Sequence, residues 1–541
     1  MVFTSCETVD LDLLDDPNNI TVSNGELERY MVVIERNFAY FTENMGRKGA
    51  SLTRIEQMNG TNYQVAFEPV SSNYAWSTAY QGLFENMKNA EAIATELGRN
   101  KHLGVIKAIK ASVLVTLVDY FGDVPFSEAN NLGEFPAPGL DDDASVYAAA
   151  LAMLDESIPL LNDTEAVSIE NDFYYNNDAT KWVKFVNTIK MNIFLNTRLV
   201  DGDAMNKFNA IVNSGNFIST SADDIQWQYE AVLTPEIDAR HIAYQADYTT
   251  GGASRYRSNW LMDEMLNDND PRIRYYFFRQ NECTPGNVDA NGVSCDASPE
   301  QLFCSTQPAP SHYPGSMVYC SVADGYWGRD HGFGGGIPPD SFDRTTVGVY
   351  PAAGNFDDDR YSNVNEGQGG GGAGITPIRL ASWSHLMISE MNLANGNTGG
   401  ARTHLEHAMQ ISIAKVMTFG SVDPDADLTF APSSGDVSSY IASVSSDFDS
   451  AGNDGKWNIL GVQQFVSHYG NGSDSYNFYR RTGFPTSVQF TVETNPGNFI
   501  RSFLYSSNEA NTNQNVPQKP NVDVKVFWDN NPASPAFPAS N

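Results

Sequence analysis

The chain has 541 residues, of which 41% are hydrophobic and 18% are charged, and this composition is typical of a folded protein rather than a disordered one. Its 66 acidic residues against 33 Lys and Arg give a net charge of −33, which disfavours nucleic acid and anionic lipid as partners. No run of about 18 consecutive apolar residues is present, so the sequence predicts no membrane-spanning helix.

The N-terminus contains a cysteine in a setting typical of bacterial lipoproteins. The segment MVFTSCETVDLDLLDDPNN has a short apolar piece, two small residues, Cys6 and then an acidic run. We interpret residues 1–20 as the remnant of a signal peptide, a lipidated Cys6 and a tether. The alternative is an ordinary free cysteine near a frayed end.

Amphipathic helices are predicted on both sides of a middle region. Apolar residues recur at three- and four-residue steps in the segments 73–98, 101–122, 141–162, 179–202, 376–397, 400–420 and 457–485. Short links between neighbouring segments predict antiparallel hairpins. The sequence therefore predicts a mainly α fold, with a tetratricopeptide-like scaffold of helical hairpins over about 25–215 and 376–485.

Residues 216–375 and 486–541 have a different composition. Gly, Asn, Asp, Pro and aromatic residues dominate the first segment, and helical periodicity fades there. Its run GQGGGGAG lacks the Lys-Ser or Lys-Thr of a phosphate-binding loop, which indicates a flexible connector. We expect a single domain over 21–541, with a loop-rich insertion at 216–375, an irregular C-terminal segment and ligand contacts on the loops.

Four cysteines lie within the insertion: Cys283, Cys295, Cys304 and Cys320. They include no CxxC pair, which argues against a zinc site. In an exported chain such a cluster predicts two disulfides, and the sequence leaves all three pairings open.

Several segments resemble, in order, segments of the SusD/RagB family. YFGDVPFSEA at 120–129 is similar to the Tyr-Gly-Asp-Val-Pro-Tyr-Ser-Glu-Ala signature at the end of the first helical hairpin of that family. The segments KWVKFVNTIKMNIFLNTRL, NDPRIRYYF, GRDHGFGGGIPPD, YRRTGFP and FLYSSNEANTNQN follow in the same order. The resemblance covers nearly the whole chain and is greatest to the SusD-like branch with the Arg-Asp-His-Gly loop.

The resemblance implies a surface lipoprotein of the outer membrane, anchored by its lipid alone, that captures oligosaccharides and delivers them to a SusC-like TonB-dependent transporter. It implies a binding protein rather than an enzyme, and we assign no catalytic residue, cofactor or metal. Some relatives carry peptides, so an oligopeptide-binding RagB-like lid is the alternative. The acidic composition is typical of a salt-adapted source and suggests an algal glucan such as laminarin as the ligand.

Aromatic residues of the insertion are the first candidates for a glycan site, because flat rings stack on sugar faces. Tyr326 and Trp327 are adjacent in a Gly-flanked loop, and we expect Trp327 to be the main stacking platform. Tyr248 and Tyr256 lie in a second aromatic-rich loop. The alternative for each is packing of its loop onto the scaffold.

Charged residues follow the first aromatic pair directly. Arg329 and Asp330 are candidates for hydrogen bonds to ligand hydroxyls, with His331 next to them. The alternative interpretation is an internal ion pair and hydrogen-bond network formed by the three side chains.

An enzyme is the competing class, since a glycoside hydrolase needs only two suitably spaced carboxylates. The sequence contains neither a G-x-S-x-G nor an H-E-x-x-H motif. His404, Glu406 and His407 have a spacing that can hold a metal, but a solvated helix face is the preferred interpretation. The segment DPDAD at 423–427 lacks the glycine and distal glutamate of an EF-hand loop, so we do not assign calcium to it.

Overall fold

The computed structural model describes residues 22–284, 304, 307–334 and 344–538. Helices of the first half are α1 (Val22–Leu52), α2 (Tyr63–Ala66), α3 (Asn73–Ser77), α4 (Glu85–Glu96), α5 (Asn100–Phe121), α6 (Asp143–Leu161), α7 (Ala179–Thr197) and α8 (Ala204–Ser214). The predicted helix at 73–98 is divided, because a π-helical turn at Thr78–Phe84 separates α3 from α4.

The insertion carries short elements, and helices return after it. Its elements are β1 (Ile225–Gln228), α9 (Ile242–Asp247), α10 (Asn259–Asn267), α11 (Ile273–Tyr276), β2 (Phe277–Phe278), β3 (Thr346–Val347) and β4 (Ile375–Arg379). The later helices are α12 (Ala381–Ala394), α13 (Thr398–Met417), α14 (Ser434–Ser450), α15 (Asn453–Ser467), α16 (Ser473–Thr482) and α17 (Ser507–Thr512). The prediction of a mainly α fold is confirmed.

Helix α1 buries one continuous seam along its length. The buried positions alternate steps of four and three residues, which places them on one face of a helix: Leu27, Met31, Ile34, Phe38, Phe41, Met45, Lys48 and Leu52. Lys48 is the charged member, and burial lowers the pKa of its ammonium group to about 8. Its Nζ donates to the Ser71 carbonyl oxygen at 2.9 Å, which offsets part of the cost of burying the group.

Helices α5 and α6 pack closely enough to require a small residue. A Cβ added at Gly104 of α5 would lie 2.9 Å from Leu161 Cγ of α6. Helix α6 is long and apolar enough to cross a membrane by length and composition alone. Its Val146, Leu154 and Leu161 belong to the same buried cluster as α5, so we interpret α6 as a core helix.

The buried carboxylate of Asp119 joins α5 to the distant C-terminal region. It accepts a hydrogen bond from Asn477 Nδ2 of α16 at 2.7 Å and from Trp528 Nε1 at 3.0 Å. The hydroxyl of Tyr147 on α6 also donates to it. A charge with this many donors is a well-satisfied buried group, and it fixes how the C-terminal segment closes over the scaffold.

The YFGDVPFSEA segment is part of the scaffold. Helix α5 ends at Phe121 because Gly122 adopts a φ of 69°, a conformation that side chains with a Cβ seldom adopt. Asp123 Oδ1 then accepts from the Asp143 backbone N–H at 3.0 Å, at the start of α6. Asp141 Oδ2 accepts from the Phe126 backbone N–H at 2.8 Å. These contacts make the segment a turn between two core helices.

A two-stranded ribbon closes the insertion at its base. Strands β1 and β4 pair antiparallel, with Trp227 opposite Thr376 and Gln228 opposite Ile375. Residues between the strands therefore leave and rejoin the scaffold at one place. Inside the insertion, β2 and β3 form a second short antiparallel pair.

Candidate functional site

A cleft of about 490 Å³ lies between the scaffold and the insertion. The scaffold wall comes from the end of α1 and the loop behind it: Arg47, Ser51, Glu56, Gln57, Met58, Asn59 and Phe67. The insertion supplies the opposite wall: Ser254, Arg255, Tyr256, Arg257, Arg329 and Gly334. This volume is within the range of sites that bind small organic ligands.

Backbone pairing holds the two loops of the insertion wall together. The Arg329 N–H donates to the Arg257 carbonyl oxygen at 2.9 Å, and the Asn259 N–H donates to the Arg329 carbonyl oxygen at 3.1 Å. Gly328 makes this approach possible, because a Cβ there would lie 2.3 Å from the Arg257 carbonyl oxygen. Arg257 and Arg329 are thus fixed on one side of the cleft.

The ring of Tyr256 is packed against two guanidinium groups. Arg329 Cζ lies 3.7 Å and Arg344 Cζ 3.9 Å from the ring centre, which are cation–π distances. Arg329 Nη2 also donates to the Tyr256 hydroxyl at 3.0 Å. The π surface is already occupied by these cations, so Tyr256 positions Arg329 rather than stacking on a sugar.

Positive charge is concentrated in this cleft. Arg257 Nη2 lies 3.2 Å from the Asp247 carboxylate. Arg47 Nε lies 3.8 Å from Glu56 Oε2, a longer and weaker contact. Burial lowers the pKa of the Arg255 guanidinium, and the neighbouring charge of Arg47 lowers it further. Within the part of the chain that the structure describes, Glu56 is the one carboxylate that lines the cleft.

The expectation of an exposed stacking platform at Trp327 is wrong. Its side chain is 2% exposed and packs against Cys320, with Cys304 alongside. Thr345 holds the Trp327 backbone on both sides, accepting from its N–H at 2.7 Å and donating to its carbonyl oxygen at 2.9 Å. Tyr326 is equally buried beneath the Arg279 guanidinium, so neither ring offers a face to a ligand.

Tyr248 and Asp330 are also buried and have structural contacts. Tyr248 stacks on Tyr244 with ring centres 4.4 Å apart, and its hydroxyl donates to the Val347 carbonyl oxygen. The Asp330 carboxylate accepts from Asn259 Nδ2 at 3.0 Å and from Gln489 Nε2 at 2.7 Å. The prediction that these two residues bind ligand is therefore wrong, because each is committed to packing and hydrogen bonds inside the protein.

His331 completes the Arg-Asp-His-Gly loop and is buried as well. Burial, and then the charge of Arg54, keep the pKa of its imidazole well below its usual value, so the ring is neutral. Among the described residues, both ring nitrogens of His331 are buried without a hydrogen-bond partner, and Asp330 bonds to Asn259 and Gln489. The two residues are therefore internal, but they do not form the expected network with each other. Arg329 is the loop residue that reaches the cleft.

The cysteine cluster is partly described. A disulfide joins Cys304 and Cys320, which are 16 residues apart in sequence. Cys283 is also disulfide-bonded. Cys295 and Cys6 lie outside the described residues, so the second pairing and the lipidation of Cys6 stay predictions.

The structure adds a third histidine to those on α13. His385 of α12 places Nδ1 3.0 Å from His404 Nδ1, and its Nε2 lies 3.2 Å from the Ser219 carbonyl oxygen. His407 is exposed, and Glu406 is paired with Arg402. The group is mainly a histidine pair between two helices, next to a solvated face.

The DPDAD segment uses its acids for internal contacts. Asp423 Oδ2 accepts from the Phe356 backbone N–H at 2.9 Å and from Arg360 Nη2 at 2.8 Å. Asp427 Oδ1 accepts from Thr429. These carboxylates do not converge on a common point, which argues against a calcium loop.

Sequence reasoning identified Arg329 but missed the other three arginines of the cleft: Arg47, Arg255 and Arg257. Arg47 lies in a polar stretch of α1 that the sequence did not separate from other surface positions. The triplet Arg255-Tyr256-Arg257 was the available signal, because two arginines flanking an aromatic residue are unusual in a chain with 33 Lys and Arg among 541 residues.

The helical scaffold thus carries a polar cleft of a size that suits small organic ligands. A family model described as SusD-like, starch-binding and associating with the outer membrane, matches residues 31–309, just over half of the chain. The chain belongs to this family, as its sequence motifs predict. The family is one of carbohydrate binding associated with the outer membrane.

Solved structures share the fold over nearly their whole length. A SusD homologue from Bacteroides fragilis has 17% identity and a TM-score of 0.64, covering 93% of this chain and 99% of that one. A SusD/RagB family protein from Bacteroides thetaiotaomicron has 16% identity and a TM-score of 0.64, with coverages of 95% and 100%. A chitin-binding SusD homologue from Flavobacterium johnsoniae has 16% identity and a TM-score of 0.64, with coverages of 94% and 99%. At these identities the likeness establishes the fold. A comparison with curated proteins finds no match.

Proposed function

We propose that this protein is a surface lipoprotein that captures an oligosaccharide in the cleft between α1 and the insertion and passes it to a SusC-like TonB-dependent transporter. The observation that carries the proposal is the cleft itself, in a chain of a carbohydrate-binding family. Polar side chains such as Ser51, Gln57 and Asn59 supply partners for hydroxyls.

Delivery to a transporter requires that the ligand also be released. We therefore expect a modest affinity, with a Kd in the range of roughly micromolar to millimolar, or about −8 to −4 kcal/mol. Sugar hydroxyls exchange bonds to water for bonds to protein with a small net gain, which is consistent with such an affinity.

A calorimetric panel tests the binding function. The full chain is titrated with oligosaccharides that include laminarin fragments, chito-oligosaccharides and acidic glycans, and with short peptides. Binding of at least one glycan without release of new reducing ends is the expected result. Binding of peptides alone contradicts the proposal in favour of a peptide lid, and cleavage of a glycan contradicts it in favour of a glycoside hydrolase.

A matched pair of variants tests whether the ligand binds in the cleft. Asn59 is exposed in the cleft, and Asn59→Leu replaces a polar contact with apolar bulk. Asn213 is exposed on α8 and does not line the cleft, so Asn213→Leu is the control. We expect the first variant to weaken glycan binding at least tenfold and the second to leave it unchanged. Equal affinities for the two variants would place the ligand elsewhere.

An exposed aromatic pair is the other surface to test. Phe173 is 51% exposed, and its ring centre lies 5.6 Å from that of Trp227. Neither residue lines the cleft. Loss of glycan binding in Trp227→Ala, with Asn59→Leu unaffected, would move the site to this pair.

The lipid anchor and the transporter need a cellular experiment. The full-length precursor is expressed in a bacterium that carries SusC-like transporters. Wild-type protein is expected in the outer-membrane fraction and in a complex with a transporter, whereas Cys6→Ala protein is expected in the soluble fraction. Cys6→Ala protein that remains in the membrane at the wild-type level contradicts the anchor.

A further inference from the structure

The cleft has a surplus of positive charge that a neutral sugar does not use. The chain as a whole has a net charge of −33, yet four arginines line this one cavity: Arg47, Arg255, Arg257 and Arg329. Among the residues that the structure describes, Glu56 is the carboxylate that lines it with them. A positively charged cavity in a strongly negative protein is the arrangement expected of an anion-binding site.

Two of the arginines already have a partner within the protein: an acid balances the charge of Arg257, and an aromatic ring packs on Arg329. Arg257 is paired with Asp247 behind the cleft wall. Arg329 packs on Tyr256 and donates to its hydroxyl. These contacts hold both guanidinium groups in place without a ligand, which is the preorganisation that an anion site requires.

The remaining two arginines, Arg47 and Arg255, line the cavity together with one carboxylate, that of Glu56. Arg47 meets Glu56 at 3.8 Å, beyond hydrogen-bond distance, and its Nε is buried without a hydrogen-bond partner in the part of the chain that the structure describes. Arg255 lines the same cavity, and burial, followed by the charge of Arg47, lowers the pKa of its guanidinium. An anion between the two guanidinium groups would relieve the repulsion between their charges.

We propose that the ligand is an acidic oligosaccharide, whose carboxylate or sulfate group binds between Arg47 and Arg255. The inference rests on the proposed function and names its ligand class. The cavity volume and the neutral polar side chains of Ser51, Gln57 and Asn59 leave room and hydrogen-bond partners for sugar rings beside the charge. It replaces neutral laminarin as the expected ligand, because laminarin hydroxyls can accept from the arginines but carry no charge to balance them.

Matched glycans test the charge directly. The full chain is titrated with oligogalacturonate and its methyl ester, and with a sulfated galactan oligosaccharide and its desulfated form, with laminarin fragments as a further neutral arm. We expect an acidic member to bind at least tenfold more tightly than its neutral counterpart, with an affinity that falls as NaCl rises. The pair of glycans that shows this difference in affinity identifies the bound group as a carboxylate or a sulfate.

Variants locate the effect. Arg255→Gln is expected to weaken binding of the acidic glycan at least tenfold, and Arg255→Lys is expected to weaken it less. Arg402 is on α13, paired with Glu406 and Asp449, and Arg402→Gln makes the same charge change away from the cleft, so it is expected to bind normally. Circular dichroism checks that each variant is folded.

The outcomes separate this inference from the proposed function. Equal binding of charged and neutral glycans, or full binding by Arg255→Gln, overturns the acidic ligand and leaves glycan capture in place. Inorganic sulfate binding as tightly as the sulfated oligosaccharide overturns the role of the sugar. Binding of acidic peptides with no glycan binding overturns both.

Discussion

Arg329 places its guanidinium carbon 3.7 Å from the ring centre of Tyr256, a contact between two residues 73 positions apart that shapes one wall of the cleft. Arg344 adds a second guanidinium at 3.9 Å. The phenol ring therefore organises cations, and its influence on a ligand passes through Arg329.

The Tyr256 contact gives the first prediction. Tyr256→Leu removes both cation–π contacts and is expected to lower the free energy of unfolding by about 2–3 kcal/mol. Tyr256→Phe keeps the ring and loses the hydroxyl that accepts from Arg329, so about 1 kcal/mol is expected. Urea unfolding measures both. Equal losses in the two variants would show that the hydroxyl, not the ring, carries the interaction.

Trp327 is expected to behave as a core residue. Because its indole is 2% exposed against the Cys304–Cys320 disulfide, Trp327→Ala should lower the free energy of unfolding by about 3–5 kcal/mol. Leu132, at 66% exposure, is the control, and Leu132→Ala should change stability by less than about 0.5 kcal/mol. Denaturant unfolding measures the stability of both variants. A Trp327→Ala protein of wild-type stability that has lost glycan binding would restore the stacking role.

The disulfide gives a third prediction. Cys304 and Cys320 are 16 positions apart in sequence, and for a loop of this size chain entropy predicts a stabilisation of about 3 kcal/mol. The double variant Cys304→Ser, Cys320→Ser is expected to lose this amount and to expose Trp327 to fluorescence quenchers. Peptide mapping without reductant should recover the Cys304–Cys320 pair. Recovery of Cys320 bound to a different cysteine contradicts the pairing.

His385 predicts a defined pH dependence. Burial lowers the pKa of its imidazole to about 4, against about 6.5 in an unfolded chain. Between these values the unfolded state binds the proton that the folded state excludes, so stability falls as the pH decreases from about 6.5 to 4, by up to about 3 kcal/mol. His385→Gln should remove this contribution.

Comparison of the wild-type protein with the His385→Gln variant separates the titration of His385 from that of other groups. Burial raises the pKa of Glu264 to about 7 and that of Asp143 to about 6, and these carboxyls titrate in the same window with the opposite effect on stability. Only the difference between the wild-type and His385→Gln profiles, from urea unfolding at each pH, reports the histidine. Parallel profiles would mean that His385 does not titrate as its burial predicts.

Helices were predictable where burial leaves a local pattern. The charge-free run from Ala111 to Val118 identified α5, and the apolar steps of α6 and α7 placed those helices within a few residues of their ends. The π-helical turn at Thr78–Phe84 was not predictable, because it changes the hydrogen-bonding step without breaking the apolar pattern.

The site was less predictable because its contacts join distant segments. Nothing near Tyr256 in the sequence indicates that it contacts Arg329 or Arg344. Trp327 was misplaced for a related reason: glycines around an aromatic pair indicate an open loop, but Cys320 and Thr345 bury it. Loop residues follow tertiary partners, which a local pattern does not contain.

The ribbon of β1 and β4 has a consequence for how such a protein can diversify. With both ends of the insertion fixed side by side, its length and sequence can change at an entropic cost that grows slowly with loop size. Rewriting it would alter one wall of the cleft and leave the α1 wall in place. Changes in the loops that face the cleft can therefore alter ligand preference without refolding the helices, whereas insertion residues such as Trp260 and Tyr276 belong to the main buried core and are constrained by it.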